Sequence, residues 1–365
     1  MRVLVVNAGS TTLKLRLLDS DDSLLIDEEI PAQRGRFDEA AAEAIIRGPD
    51  RIDAVGHRFV HGGSRLTSAV RLDDEVESYL RSLIDLAPLH QPAALEGVEL
   101  LRRILPGVPA VACVDTAFHA RMPPVAATYA IPHQWREQYG LKRYGFHGLS
   151  HAYAARRTAE LLGRSPDELR VITCHLGAGA SLAAVKAGVS VDTTMGFTPL
   201  EGLVMATRSG TVDPGMLLWL EQHANVSPDA LSDALEHRSG LVALAGTGDM
   251  RKVLSAAREG DADSQLALDV YAYRLRALVA AMAAAMAGVD ALVFTGGVGE
   301  HAAEVRAAVG RGLGFLGVVL DERRNTALTA DSVISTDDAA VAALVVRARE
   351  DLEIARQVRS VLRLG

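Results

Sequence analysis

Two stretches of this chain, separated by about half its length, read alike. Leu4-Val5-Val6-Asn7-Ala8-Gly9-Ser10-Thr11-Thr12-Leu13 and Thr173-Cys174-His175-Leu176-Gly177-Ala178-Gly179-Ala180-Ser181-Leu182 each run apolar, turn through small residues, and become apolar again. Each turn carries a hydroxyl. The pattern is strand, tight turn, strand. One such turn says little, but two so far apart point to a duplicated domain with an anion-cradling hairpin in each half. Small side chains let backbone N–H groups approach an anion, and a Ser or Thr adds a donor. The chain has 365 residues, and domains usually hold about 100–200, so two halves suit the length.

The stretches 52–60, 110–114, 171–174 and 291–294 are further strand candidates. Helical spacing appears at 73–86, 93–105, 150–162, 264–286 and 302–313. Asp213-Pro214 and Ser227-Pro228 read as helix starts, an N-cap followed by proline at the first helical position. Strands alternating with helices give an α/β fold. Aromatic residues are only 4% of the chain, so the core must be built mainly from Ala, Val and Leu. Acidic residues outnumber basic ones, 46 to 38, and a net charge of -8 argues against broad binding to nucleic acid or anionic membranes. The longest uncharged apolar run, 277–289, is too short to span a bilayer, and the run at 3–6 is too short for a signal-peptide core. A cytoplasmic protein is expected. Cys113 and Cys174 end apolar runs and read as small buried hydrophobes.

No P-loop, Rossmann glycine fingerprint, Gly-x-Ser-x-Gly elbow or His-Glu-x-x-His occurs. Eight of the eleven histidines instead fall between 57 and 175, many beside glycine, as in Gly56-His57-Arg58, Pro88-Leu89-His90 and Gly145-Phe146-His147-Gly148-Leu149-Ser150-His151. A zinc site is one reading. His57 and His61 would lie about 13 Å apart on a strand, too far to share a metal, whereas His147 and His151 straddle a helix start and stay available. Arg58 and Arg208, set among glycines and hydroxyls, look like clamps for an oxyanion or phosphate, because a guanidinium offers a rigid fork of donors. Asp115 ends an apolar strand, where α/β sheets hold catalytic carboxylates, though an N-cap role fits it nearly as well. Gly296-Gly297-Val298-Gly299-Glu300-His301 lies between a strand and a helix and would let backbone approach a phosphorylated ligand.

Taken in order, these segments resemble the acetate kinase family of the acetate and sugar kinase/actin-like superfamily. Met195-Gly196-Phe197-Thr198-Pro199-Leu200-Glu201-Gly202 and Tyr144-Gly145-Phe146-His147-Gly148 are its most specific marks, and the likeness runs from Asn7 to the stretch after Glu350. The resemblance implies two actin-like (ribonuclease H-like) domains with a duplicated core and an interdomain cleft. The expected boundaries are 1–148 with 350–365 for the acid-binding domain and 149–349 for the nucleotide-binding domain. It implies reversible phosphoryl transfer from ATP to acetate, with Mg²⁺ or Mn²⁺, giving acetyl phosphate and ADP. Asn7 and Glu350 match the metal positions, and Asp115, His147, Arg208 and Arg58 the catalytic ones. Arg58, Val60, Leu89, His90, Phe146 and Pro199 match the acid pocket. Lys14, His175, Leu176, Gly177, Ala178, Gly179, Asp249, Met250, Arg251, Gly297, Val298, Gly299, Glu300 and His301 match the nucleotide site.

Three positions depart from the family pattern: Ala178 and His301 where asparagine is usual, and Ala206 where glycine is usual. All three lie on the expected nucleotide side, so the choice of phosphoryl donor is less defined by the residues than the reaction class. A homodimer is expected from the resemblance, and neither nucleic acid nor membrane is expected as a partner. A propionate or butyrate kinase is the nearest alternative, and a non-catalytic nucleotide-binding relative is a more distant one.

Overall fold

The first apolar run becomes strand β1 (Val3–Ala8), and the stretch after its turn becomes β2 (Thr12–Leu18), paired antiparallel from Val3↔Leu18 to Ala8↔Leu13. The Gly9 N–H closes the turn on the Thr12 carbonyl at 2.8 Å. This computed structural model describes residues 1–9, 11–32, 37–48, 51–88 and 90–364, so Ser10 and Leu89 lie outside it. β3 (Leu24–Pro31) continues the meander, with Ile30 its one buried residue. β4 (Ala54–Phe59) and β6 (Ala110–Val114) then add parallel to β1, and the two-residue β5 (Val70–Arg71) closes the edge antiparallel, giving the order β3-β2-β1-β4-β6-β5.

The second sheet repeats this arrangement. β7 (Arg170–Leu176), β8 (Ala180–Lys186) and β9 (Val189–Thr193) form an antiparallel meander. β10 (Ala291–Thr295) and β12 (Ala342–Val345) add parallel to β7, and β11 (Ser332–Val333) is the antiparallel edge. The order β11-β12-β10-β7-β8-β9 is the first sheet's order with every strand advanced by six. The likeness between the two hairpin sequences therefore extends to two whole sheets of one topology.

β1 is buried on both faces, and its residues alternate between two clusters. Leu4, Val6 and Ala8 pack with Leu13, Leu15 and Leu17, under Leu100 and Leu101 of the helix Gln91–Ile104. Val3 and Val5 pack on the other face with Ile354, Ala355 and Val358 of the last helix, Glu350–Leu364. That helix lies close over β4. A Cβ on Gly56 would stand 2.5 Å from Ile354 Cγ2 and 2.8 Å from Val358 Cγ2, so only glycine fits the strand there.

Chain contacts group Met1–Ala120, Phe146–Tyr153 and Arg349–Gly365 into one unit, and Arg121–Gly145 with Ala154–Ala348 into another. Residues 121–145, assigned to the first half from the sequence, thus group with the second, and 149–153 group with the first. Hydrogen bonds account for the first difference: Arg143 donates to the carbonyls of Thr194 and Met195, and the Tyr144 N–H to that of Gly196. Asp213 and Ser227 cap the helices Pro214–Ala224 and Pro228–His237 as their sequences indicate. Cys113 and Cys174 are buried free thiols, their pKa values pushed up by burial. Among the described residues no helix is long and apolar enough to cross a membrane.

Candidate active site

In the first unit, three parallel strands end side by side, and each delivers a polar group: Asn7 from β1, Arg58 from β4 and Asp115 just after β6. The carboxyl ends of parallel strands are where open α/β sheets hold their ligands. Arg58 donates to Asp115 Oδ2 at 2.7 Å and to Asn7 Oδ1 at 3.2 Å. Glu350, at the start of the last helix, brings Oε2 to 3.7 Å from Arg58 Nε. Burial opposes the charge on Arg58, but Asp115 and Glu350 outweigh it and raise its pKa. Asp115 is 1% exposed. Burial lifts its carboxyl above the usual range and Glu350 adds to this, with Arg58 offsetting part of the rise. Its Oδ1 is buried and, among the described residues, has no hydrogen-bond partner.

His147 stands in a tight turn beside this cluster. Its φ of 55° lies in the left-handed region, and Gly145 two residues earlier has φ 75°. Gly148 packs backbone to backbone on the strand end, since a Cβ there would stand 1.9 Å from the Asp115 carbonyl oxygen. Phe146 is buried, with its ring 5.6 Å from that of His61, and Val60 is buried at the end of β4. His90, half-buried, precedes the helix Gln91–Ile104 as its N-cap residue. Leu89 lies outside the described residues. Lys14 is exposed on β2 and pairs with Glu29 of β3 at 2.6 Å.

In the second unit, β7 ends at His175-Leu176 and its parallel neighbour β10 at Thr295, which pairs with His175. Gly296 follows with φ 78°, and a Cβ there would meet the Leu176 backbone at 2.9 Å, so glycine is required. Gly297 has no atom within 4 Å of its Cβ position. Nothing internal demands glycine there, and the exposed backbone is open to an incoming ligand. The Gly177 N–H closes the β7–β8 turn on the Gly179 carbonyl. The Ala178 carbonyl accepts from the Ala206 N–H at 3.1 Å, tying this turn to the loop that carries Arg208. Ala206 is accommodated because residue 248 is glycine: a Cβ at 248 would lie 3.2 Å from the Ala206 Cβ.

Arg208 is half-buried and, among the described residues, forms no ion pair. Its side-chain hydrogen bond is a long one, 3.4 Å from Nη1 to the Pro199 carbonyl. Burial lowers its pKa and the charge of Glu236 offsets only part of that. A guanidinium held without a carboxylate is prepared to receive an anion. Asp249 caps the helix Met250–Arg258 and also pairs with Arg251, which holds its pKa at about 2. Met250 is buried in the core. Glu300 turns inward and accepts from the N–H groups of Gly296 and Ala348, whereas His301 is exposed.

Three supporting groups escaped the sequence reading. Arg306, 1% exposed, gives hydrogen bonds to the carbonyls of Gly299 and Glu300 and to both oxygens of Asn325, and so braces the helix Gly296–His301. Its sequence signal is an arginine on the buried stripe 305, 306, 309, 310 of the helix Ala303–Arg311. Glu201 takes Tyr129 at 2.6 Å and Arg143 at 2.8 Å, fixing the Pro199 loop. His119 touches the His147 turn.

No group of three or more His, Cys, Asp or Glu side chains among the described residues could hold a metal ion by itself. A divalent cation at the first cluster is nevertheless compatible with its residues. Asn7, Asp115 and Glu350 are hard oxygen donors, one buried carboxylate oxygen lacks a partner, and Mg²⁺ commonly takes one or two carboxylates and completes its shell with phosphate and water.

Comparison with known proteins defines the class. The acetokinase family model matches residues 28–356. An acetate kinase from Caldanaerobacter subterraneus subsp. tengcongensis is 42% identical across 100% of this chain and 99% of its own length. The crystal structure of Porphyromonas gingivalis acetate kinase is 36% identical with a TM-score of 0.92, and that of a Francisella tularensis propionate kinase 32% identical with a TM-score of 0.91; each comparison covers 99% of both chains. A ROK family protein from Streptococcus pneumoniae, 11% identical with a TM-score of 0.50, shares the actin-like fold alone. The fold is thus that of the two-domain, actin-like kinases, and the enzyme class is a phosphotransferase with a carboxyl group as acceptor. The chain belongs to the acetokinase family and has the acetate kinase activity of that family, using ATP/ADP and a divalent metal.

Proposed function

We propose that this chain transfers the γ-phosphoryl group of ATP directly to acetate, reversibly and with Mg²⁺, through Arg58, Asp115, His147 and Arg208. Phosphoryl transfer requires little covalent help and much placement and charge neutralisation. Arg58 holds the acid's carboxylate, while Arg208 and His147 offset charge on the transferring group. The acceptor carboxylate is already ionised at pH 7, so no strong general base is needed, and Asp115 orients rather than deprotonates. Asn7 and Glu350 would hold Mg²⁺, whose charge would offset that of the nucleotide phosphates. The nucleotide lies against His175, Leu176, Gly177, Ala178 and Gly179, and along Gly297, Val298, Gly299, Glu300 and His301. Backbone carries most of that contact, because Glu300 is engaged internally. Asp249, Met250 and Arg251 contribute their backbone and the exposed Arg251 side chain, and Lys14 a phosphate contact once released from Glu29. Val60, Leu89, Phe146 and Pro199 match the family's positions for the acid's methyl end, and His90 matches a substrate-binding position.

One observation carries this reading: among the described residues Arg208 keeps a half-buried charge with no ion-paired carboxylate, while Arg58 sits within a carboxylate cluster at the strand ends. Trapping with hydroxylamine tests it. Acetate with Mg-ATP should yield acetyl hydroxamate; no hydroxamate despite nucleotide binding would contradict it. The same assay with GTP or pyrophosphate reports the donor choice left open by Ala178, Ala206 and His301.

Propionate is the second reading, favoured by the likeness to the Francisella protein. One methylene is worth only about 1–3 kcal/mol of discrimination, so kcat/KM across the two-, three- and four-carbon acids decides between them. We also propose a cytoplasmic homodimer without nucleic-acid or membrane partners. The helix Pro214–Ala224 supports the dimer: none of its residues is buried, and Met216, Leu218 and Trp219 are exposed. A monomeric mass by light scattering at micromolar concentration would contradict it.

A further inference from the structure

His119 has no part in the reaction as assigned above, yet it grips the residue before His147. It ends the turn Asp115–His119 and is 1% exposed. Its Nε2 lies 3.0 Å from the Phe146 carbonyl oxygen. A carbonyl can only accept, so Nε2 carries the proton and donates it. Burial depresses the His119 pKa to about 4, so near pH 7 the ring is neutral and its single N–H belongs to this bond. Ring contacts hold the imidazole plane: Phe118 at 5.4 Å and His151 at 5.7 Å between centroids, both edge-on.

The bonded carbonyl belongs to the peptide joining Phe146 to His147. Rotation of that peptide sets φ of His147, which at 55° occupies a region that non-glycine residues leave unless their surroundings hold them. The next residue, Gly148, presses its backbone on the Asp115 carbonyl oxygen. One short turn, 115–119, therefore grips the His147 segment on both sides, by contact at Gly148 and by a hydrogen bond at Phe146. Of the two, only the hydrogen bond fixes the orientation of the peptide.

We propose that His119 is a positioning residue: by binding the Phe146 carbonyl it keeps His147 in its left-handed conformation and aims the imidazole at the transferring phosphoryl group. The inference rests on the reading of His147 as a transition-state group. It requires a neutral donor at the ε position and no contact between His119 and either substrate.

The test is a cycle of His119→Leu, His147→Ala and the double variant, with His119→Gln as a donor-preserving control. Misplacing a catalytic group by about 1 Å can cost on the order of 10²-fold, so His119→Leu should lower kcat by about 10- to 100-fold. KM for acetate and ATP should change by less than about 2-fold, as for an interaction made only in the transition state. His119→Gln should restore most of kcat, and the double variant should lose no more than His147→Ala alone. Unchanged kcat in His119→Leu, or losses that multiply in the double variant, would overturn the inference. Unchanged kcat in His147→Ala would overturn the underlying role of His147 instead. Should His119→Leu not fold, His119→Asn replaces it, because a shorter amide fails to reach the ε position. Equal kcat in the Asn and Gln variants would then overturn the inference.

Discussion

Arg58 faces more negative charge than it can neutralise. Asp115 binds it directly and Glu350 stands 3.7 Å away, so one guanidinium serves two carboxylates. Arg208 has the opposite problem, a half-buried cation that forms no ion pair among the described residues. Both arginines read as anion clamps from their glycine-rich settings, but this difference arises only on folding. Adjacent residues show neither Asp115 nor Glu350, which reach Arg58 from far along the chain. The difference has a measurable consequence. Arg58→Ala should cost about 3–5 kcal/mol of unfolding free energy, because it strands buried carboxylates. Arg208→Ala breaks no ion pair and should stay within about 1 kcal/mol of the unsubstituted protein. Urea unfolding of the two variants checks this.

At the scale of elements, most strands buried on both faces were legible, although the buried four-residue β12 was not, and the exposed edge strands were missed. β1, β6 and β10 are mainly apolar because they are buried along nearly their whole length, and β4 is buried too although it carries His57 and Arg58. β3 escaped notice because it lies at a sheet edge and carries Asp27, Glu28 and Glu29 toward solvent. β5 and β11 are two residues each, too short for any period. Glycines were visible as possible ligand contacts, but their reasons differ. Gly297 is open, Gly296 is required by its φ, and Gly56 makes room for the last helix. Gly56→Ala should therefore destabilise the first unit by about 1–3 kcal/mol through overpacking against Ile354 and Val358. Thermal unfolding of this variant reports it, and an unchanged Tm would contradict the packing account. The site residues that the sequence could not supply, Arg306, Glu201 and His119, work through carbonyls and turns brought together only by folding.

At the scale of the molecule, duplication is the organising fact: a likeness between two ten-residue hairpins predicts two sheets, and both sheets share one strand order. Acid should weaken the whole structure through its buried histidines. Burial holds the His57 pKa at about 3 and that of His119 at about 4, against an ordinary value of 6.5. Above pH 6.5 both are neutral folded or unfolded. Below it the unfolded chain takes up protons that the folded chain refuses, so their stabilising contribution falls as pH drops from 6.5 toward 4 and then 3. Asp115 acts in the opposite sense, because its raised carboxyl binds a proton more readily when folded. His57→Gln removes one of the titrating histidines. The Tm gap between it and the unsubstituted protein should thus narrow between pH 7 and pH 5; a constant gap would contradict the buried-neutral assignment.

Charge neutralisation by Arg208, a guanidinium without an ion-pair partner among the described residues, is central to the proposed reaction. The rate of acetyl hydroxamate formation by Arg208→Ala, at saturating acetate and Mg-ATP, measures this directly. It should fall by about 10²–10³-fold, the cost of losing one oxyanion donor, while the protein remains folded. Hydroxamate formed at the unsubstituted rate would contradict the account.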